Sequence, residues 1–298
     1  FVKHYNKMAR QAGMTLIELT VVLLVLIGLA GLMVPYVSGF VSKTHDSTGS
    51  NNLAALNNTI QRFHTQFNAM PDDLHSLVTT GSTTIYPALM NPSMLTATTY
   101  TSDGVVGMLG PEVPLASLRN VGISSVYEMK DGTTNGSKTF DAGNASVIVP
   151  NPMTVAGAGT VDVAVLNAGD RTSVENHLAT AFGRQLSDFD SACYDYVVMG
   201  VGQESELTGR AIQEAPVHFA QNGDMGPENN YNRFVAVFEV DKAMGLIAAN
   251  ATNALGSSGC AMGTEQAKFV GTAMIMMPNH IIGLAEELDS AYSNMAAK

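Results

Sequence analysis

The distribution of apolar and polar residues divides the chain into an apolar N-terminal run and a long mixed remainder. Residues 19–41 are 23 consecutive positions without a charged side chain. A helix of that length spans roughly 35 Å at about 1.5 Å per residue, which is enough to cross a bilayer core of about 30 Å. The pattern predicts a membrane-spanning helix, with the carboxylate of Glu18 at its edge, where it needs a partner.

After this run the chain becomes polar, and apolar residues then return at helical spacing. They recur three or four residues apart, at Leu53, Leu56, Ile60, Phe63 and Phe67. This spacing predicts an amphipathic helix with one buried stripe. Pro71 is predicted to end it, because proline has no N–H to donate. We therefore expect one helix over residues 14–70, apolar on all sides over 14–41 and amphipathic beyond.

Residues 71–298 mix short β-prone segments with turn residues. Strands are predicted at 121–129, 146–149, 161–166, 194–201, 233–240 and 269–277. A short helical turn is predicted at 71–77, irregular structure at 79–100, a helix after the capping box Thr172-x-x-Glu175 and a C-terminal helix capped by Asn279. The predicted fold class is α+β: a long N-terminal helix packed on an antiparallel β-sheet head with large insertions. The head fills residues 71–298 as one body or as two lobes.

The composition argues against two classes of function. The net charge is −11, and charged residues make up only 14% of the chain. Nucleic-acid binding requires clusters of Lys and Arg, so we expect no nucleic-acid partner. Four common enzyme motifs, G-x-S-x-G, Walker A, H-E-x-x-H and G-x-G-x-x-G, are absent from the sequence. We therefore expect neither catalytic residues nor a cofactor.

Three interpretations of the N-terminal run compete. The simplest is a single-pass anchor that tethers a soluble head. A secretory signal peptide is the second, because Lys3, Lys7 and Arg10 form a basic start. However, the apolar run exceeds the usual 7–15 residues and no A-x-A site follows it. The third interpretation depends on the order of residues around Gly13.

Gly13 is followed by Met14-Thr15-Leu16-Ile17-Glu18, and Pro35 lies 22 residues beyond the glycine. This arrangement closely resembles the class III signal of type IV pilins and pseudopilins. The resemblance is confined to about residues 1–70. It implies that residues 1–13 are a leader, that prepilin peptidase cuts after Gly13, and that the new amino group of Met14 is methylated. A cut before Phe1 would instead put Tyr5 at the position of the glutamate, so we expect cleavage after Gly13. Removal of the leader leaves 12 basic and 26 acidic residues and a net charge of −14.

The resemblance also implies a role for the helix. In the family, such helices bundle at the centre of a filament, and the glutamate, here Glu18, pairs with the terminal amine of a neighbouring subunit. Gly28, Gly31 and Pro35 correspond to a region of the helix that partly melts on assembly. The implied function is that of a structural subunit of an extracellular type IV pilus-like filament at the cell surface. The implied partners are copies of itself, prepilin peptidase and the bacterial inner-membrane assembly machinery, with the inner membrane holding the precursor.

Two alternatives remain open. The same parts occur in the pseudopilins of type II secretion and in minor pilins. From a different class, the chain could be a membrane-tethered binding or adhesion module that never polymerises.

Two further sets of residues are candidate sites in the head. Cys193 and Cys260 are the two cysteines of the chain. In an oxidising compartment they would form a disulfide, and the alternative is two buried thiols. Asp131 and Asn135 begin a loop like an EF-hand, and Asp224 and Glu228 flank a turn. The EF-hand reading lacks the glutamate at its twelfth position. We therefore expect solvated turns and keep calcium binding as a weaker hypothesis.

Overall fold

The computed structural model describes residues 16–79, 84–86, 89, 94–102, 113–129, 145–148, 159–167, 173–218, 231, 233–242, 266–277, 280–283 and 285. The chain forms two compact units, Phe1–Thr44 and His45–Lys298. The first helix, α1 (Leu16–Phe67), runs through the boundary between them.

In the first unit, Leu16–Met33 of α1 is exposed. Leu16–Met33 has a mean hydropathy of 2.6, and none of it is buried. Its length and composition suit a membrane span, and a signal sequence shares those properties. Further along, Pro35 lies inside the helix. It cannot donate a hydrogen bond to the carbonyl of Gly31, so the ladder of helix hydrogen bonds has a gap at this turn.

In the second unit, the rest of α1 packs through one stripe. Its buried side chains are 0–2% exposed and are those of Leu53, Leu56, Ile60 and Phe63. The prediction of an amphipathic stripe is confirmed for these four residues, whereas Phe67 is 43% exposed. The helix ends before Pro71, because Asn68 adopts a left-handed conformation with φ of 53°. The hydroxyl of Thr272 donates to the carbonyl of Leu53 at 2.9 Å.

Within the described residues of this unit, nine strands form one sheet. They are β1 (Leu74–Thr79), β2 (Leu95–Ser102), β3 (Val126–Met129), β4 (Ala145–Ile148), β5 (Gly159–Leu166), β6 (Tyr194–Gly200), β7 (Phe234–Asp241), β8 (Lys268–Met277) and β9 (His280–Gly283). The main order is β4-β3-β1-β6-β7-β8-β9, and all pairs are antiparallel except β1 with β3. The predicted α+β class with a largely antiparallel sheet agrees with this architecture.

The sheet branches at β6. One edge of β6 pairs with β7 along its whole length, from Tyr194 to Gly200. The other edge pairs with β5 at Val197 and Val198 and with β1 at Gly200. Strand β2 pairs with β5 and extends this branch. Strands β1 and β5 share one edge of β6 and β7 occupies the other. Strand β6 therefore has neighbouring strands on both edges.

Helices cover the two faces of the sheet. The amphipathic part of α1 and helix α2 (Val113–Asn120) contribute to one core with β5, β6 and β7. Helix α3 (Val174–Phe182) contributes to the core on the opposite face. The side chain of Ser173 caps the start of α3, in place of the predicted Thr172, and Gly183 ends it with φ of 62°. A turn of 3₁₀ helix, Leu186–Asp188, follows.

Several predicted elements differ from the structure. The helical turn predicted at 71–77 is wrong, because β1 begins at Leu74 and is buried along its whole length. Strand β2 occupies part of the predicted irregular region, and α2 had no predicted counterpart. The C-terminal helix predicted after Asn279 is wrong over β9. The strand predicted at 121–129 is confined to β3.

Candidate functional site

The exposed apolar surface of the described residues is concentrated on the first part of α1. Thirteen of the fifteen exposed large apolar side chains belong to Leu16–Met33, including Ile17, Leu24 and Leu32 at 73–76% exposure. Burying one such side chain stabilises a protein by at least about 1.5 kcal/mol, so covering this surface would contribute on the order of 20 kcal/mol. The surface of this helix therefore suits a membrane anchor or a signal sequence.

Glu18 lies in the first turn of α1 and is exposed at the edge of this apolar surface. A carboxylate is favoured near the N-terminus of a helix, because the free N–H groups carry a partial positive charge. Two residues later, the hydroxyl of Thr20 donates to the carbonyl of Ile17 at 2.9 Å. Gly13 and Met14 lie outside the described residues, so the predicted partner amine has no position here.

Gly28 and Gly31 lie on an open part of the same helix. A methyl group built on either glycine would meet no atom of the described residues within 4 Å. Neither glycine is therefore required by packing within this chain. Small residues allow a second helix to approach closely in a membrane or bundle, because they keep side chains out of the interface. Pro35 follows on the same helix.

Of the other predicted site residues, only some are among those that the structure describes. Cys193 is buried, lies directly before β6 and is disulfide-bonded. Its predicted partner Cys260 lies outside the described residues. The calcium candidates Asp131, Asn135, Asp224 and Glu228 also lie outside them. Among the residues that are described, no group of three or more His, Cys, Asp or Glu side chains is arranged to hold a metal ion.

A polar cluster lies inside the sheet domain, and no pattern in the sequence indicated it. His75 on β1 is fully buried, with Nε2 2.7 Å from Glu204 Oε2 and Nδ1 3.1 Å from the hydroxyl of Tyr231. Burial acts to raise the pKa of Glu204, but the hydrogen bonds from the His75 ring and from its own backbone N–H, together with the nearby Arg233, lower that pKa overall. Burial raises the pKa of Tyr231 far above its usual value of 10.0, so its hydroxyl stays protonated.

Two glycines make room for this cluster. A methyl group on Gly200 would lie 1.7 Å from the Tyr231 hydroxyl, and one on Gly202 would lie 2.0 Å from the His75 ring. No real Cβ atom is found so close to another atom, so both positions require glycine. With no exposed surface and both ring nitrogens bonded, His75 cannot reach a substrate. The cluster therefore holds β1 to the segment after β6.

The Glu204–His75 pair predicts acid sensitivity. Because the folded pKa of Glu204 lies below its ordinary value of 4.5, we expect stability to be constant above about pH 5 and to fall from about pH 4.5 downwards. In that range the unfolded chain binds a proton that the folded carboxylate does not. Urea unfolding of the full chain in detergent from pH 7 to pH 3 measures this. Glu204→Gln should flatten the acid slope, and an unchanged slope in that variant would contradict the assignment.

A second polar cluster lies near the disulfide. The Tyr100 hydroxyl donates to Asp195 Oδ2 at 3.0 Å, and Lys242 Nζ lies 3.5 Å from Asp195 Oδ1. Burial and the neighbouring Asp195 raise the pKa of Tyr100 well above 10.0, which keeps it a donor. Lys242 Nζ also donates to the carbonyl of Ser191 at 2.6 Å.

This cluster borders a polar cleft of about 360 Å³ at the start of α3. Glu175 lines it and accepts hydrogen bonds from the backbone N–H and the hydroxyl of Ser191. Burial acts to raise the pKa of Glu175, but these hydrogen bonds, together with those from Ser173 and from its own backbone, lower that pKa overall. Asp195 pairs with Lys242 and Tyr100, and both Glu175 and Lys242 bond to Ser191, so the arrangement joins β2, β6, α3 and the end of β7.

Comparison with known proteins gives no match. No protein-family model, no curated protein and no solved structure is similar to this chain. The evidence for function is therefore confined to the residues and geometry of the chain itself.

Proposed function

We propose that this chain is a structural subunit of an extracellular type IV pilus-like filament, assembled from an inner-membrane pool by bundling of its N-terminal helices. The observation that supports the proposal most is the contrast between the two units. The described sheet domain has helices on both faces, whereas Leu16–Met33 is apolar and has no buried residue.

The apolar helix has two environments available before and after assembly. A lipid bilayer and a bundle of identical helices are about equally apolar, so burial of area does not strongly favour one over the other. Transfer between them must then be directed by packing and by polar groups. Glu18, at the edge of the apolar surface, is the acidic residue placed to direct it.

The proposed polar partner is the methylated amino group of Met14 on an adjacent subunit. An ammonium and a carboxylate brought together in an apolar bundle neutralise each other, whereas either group alone is costly to bury. This pairing requires cleavage after Gly13, because an uncut chain has a peptide bond at Met14 in place of an amine. Processing by prepilin peptidase is therefore part of the proposal.

Two other functions use the same helix. A type II secretion pseudopilin or a minor pilin would differ in the machine that extrudes it and in filament length. A membrane-tethered binding or adhesion module is favoured by one observation, namely that Leu16–Met33 alone has the length and hydropathy of a single-pass anchor. Such a module would remain in the membrane and would need neither cleavage nor Glu18.

Electron microscopy and mass spectrometry of material sheared from cells separate these functions. We expect fibres that contain this chain and a subunit N-terminus of N-methylated Met14. The variant Gly13→Val is a matched control, since it changes the residue before the cut and leaves α1 intact; it should keep the leader and form no fibres. Recovery of the chain only from the inner membrane, with residues 1–13 attached, would favour the tethered module.

A further inference from the structure

The polar segment of α1 (residues 42–48) differs from the helix on either side. Its sequence is Ser-Lys-Thr-His-Asp-Ser-Thr, followed by Gly49. Six of the seven residues are weak helix formers, and only Lys43 favours a helix. Ser, Thr and Asp side chains compete for the backbone hydrogen bonds on which a helix depends. The boundary between the two compact units, after Thr44, falls inside this segment.

The helix beyond the polar segment is held by tertiary contacts. Its four stripe residues are almost completely buried, and Thr272 bonds to the carbonyl of Leu53. By contrast, Ser47 and Thr48 are exposed. Opening of the helix at these two residues would therefore expose little apolar area, which is the main cost of local unfolding elsewhere.

The backbone of the polar segment also has alternative hydrogen-bond partners. The hydroxyl of Ser50 donates to the carbonyl of Ser47 at 3.1 Å, so this carbonyl keeps a donor if the helix bond to it breaks. The polar segment lies beyond the end of the apolar run. Water can therefore reach this segment and solvate the N–H and C=O groups that opening exposes. The gap at Pro35 lies within the apolar run, where an unpaired backbone group costs several kcal/mol. Opening is therefore cheaper at 42–48 than at Pro35.

We propose that the polar segment is a hinge: these two turns of α1 open and re-form while the helix on both sides stays intact. Opening is confined to these two turns, so the sheet domain stays folded while it occurs. The hinge is a property of the single chain and does not depend on filament assembly.

Hydrogen exchange of the full chain in detergent micelles, resolved by mass spectrometry, tests the hinge. We expect the amides of residues 43–49 to exchange at least about 100-fold faster than those of residues 54–67, because they open locally. Alanine favours a helix over Ser and Thr, so Ser42→Ala/Ser47→Ala/Thr48→Ala should slow exchange in the segment about tenfold.

The matched control changes similar residues in the part of α1 that is held by packing. Asn58→Ala/Thr59→Ala/Thr65→Ala alters polar positions on the solvent side of α1, away from its buried stripe, and should leave exchange of residues 43–49 unchanged. Equal protection of residues 43–49 and 54–67 in the unmodified chain would overturn the proposal. So would a triple alanine variant of the hinge that folds normally and exchanges at the original rate.

Discussion

Glu18→Val is expected to remove filaments from the cell surface while the precursor stays in the inner membrane at its normal level. In the proposed bundle, the variant leaves the ammonium of Met14 buried without its carboxylate. Leaving one partner of a buried ion pair alone costs roughly 3–5 kcal/mol, which corresponds to a loss of filament yield of at least about 100-fold. Quantitative immunoblots of the sheared fraction and of the membrane fraction measure both effects.

Thr20→Val is the matched control for this experiment. It removes a polar group from the same exposed helix surface, but the Thr20 hydroxyl already bonds to the carbonyl of Ile17 within its own helix. No charge is left unpaired, so filament yield should stay within about twofold of normal, since a single neutral hydrogen bond contributes only about 1 kcal/mol. Normal filament yield from Glu18→Val would refute the proposed pairing, because it would show that the bundle tolerates a lone ammonium.

Gly202→Ala is expected to destabilise the sheet domain by about 3 kcal/mol or more, the range of severe core overpacking. The added methyl group would lie 2.0 Å from the ring of His75 and 2.8 Å from Glu204 Oε2. Because the ring is fully buried between Glu204 and Tyr231, it has no space to move aside. Near-ultraviolet circular dichroism of the tyrosines during urea unfolding of the full chain measures the change.

Gly209→Ala separates this clash from the general effect of replacing a glycine. Gly209 has φ of 85°, but an added methyl group would have no atom of the described part of the chain within 4 Å. Its replacement should therefore cost only about 1 kcal/mol of backbone strain. In the double variant Gly202→Ala/His75→Ala, loss of the ring makes room for the methyl group, so the two effects should be less than additive. Additive effects would show that the ring and the methyl group do not conflict.

The parts of the fold that could be predicted are those in which one physical pattern dominates. Strands β6, β7 and β8 contain dense runs of β-branched, aromatic and Met residues, and their burial matches that pattern. The stripe from Leu53 to Phe63 follows helical periodicity and is buried as predicted. In these segments, local preference and tertiary packing favour the same structure.

The missed elements are those in which tertiary contacts determine the structure. Strand β1 carries the polar residues His75, Ser76 and Thr79, all buried, so no apolar alternation marks it as a strand. The Asp72 carboxylate lies in the segment that was predicted to be a helical turn. In the structure it accepts hydrogen bonds from the backbone N–H groups of Ser124 and Ser125. These partners are more than 50 positions away in the chain, beyond the range of any local pattern.

The candidate site shows the same division. Glu18, Gly28, Gly31 and Pro35 belong to one continuous helix, so sequence order alone brings them together. The His75 cluster joins residues that are 129 and 156 positions apart, and the long-range pairing of strands creates it. No spacing in the sequence connects them.

The hydrogen bond between Thr272 and Leu53 has a consequence for biosynthesis, since it joins positions 219 residues apart. At about 5–20 residues per second, the ribosome makes Thr272 on the order of 10–40 s after Leu53. During this delay the apolar stripe of the nascent helix has no β8 to pack against. It lies a few turns after a segment suited to a bilayer, and an amphipathic helix can rest on a lipid surface. Completion of the sheet domain then waits for β8, which predicts late, slow folding.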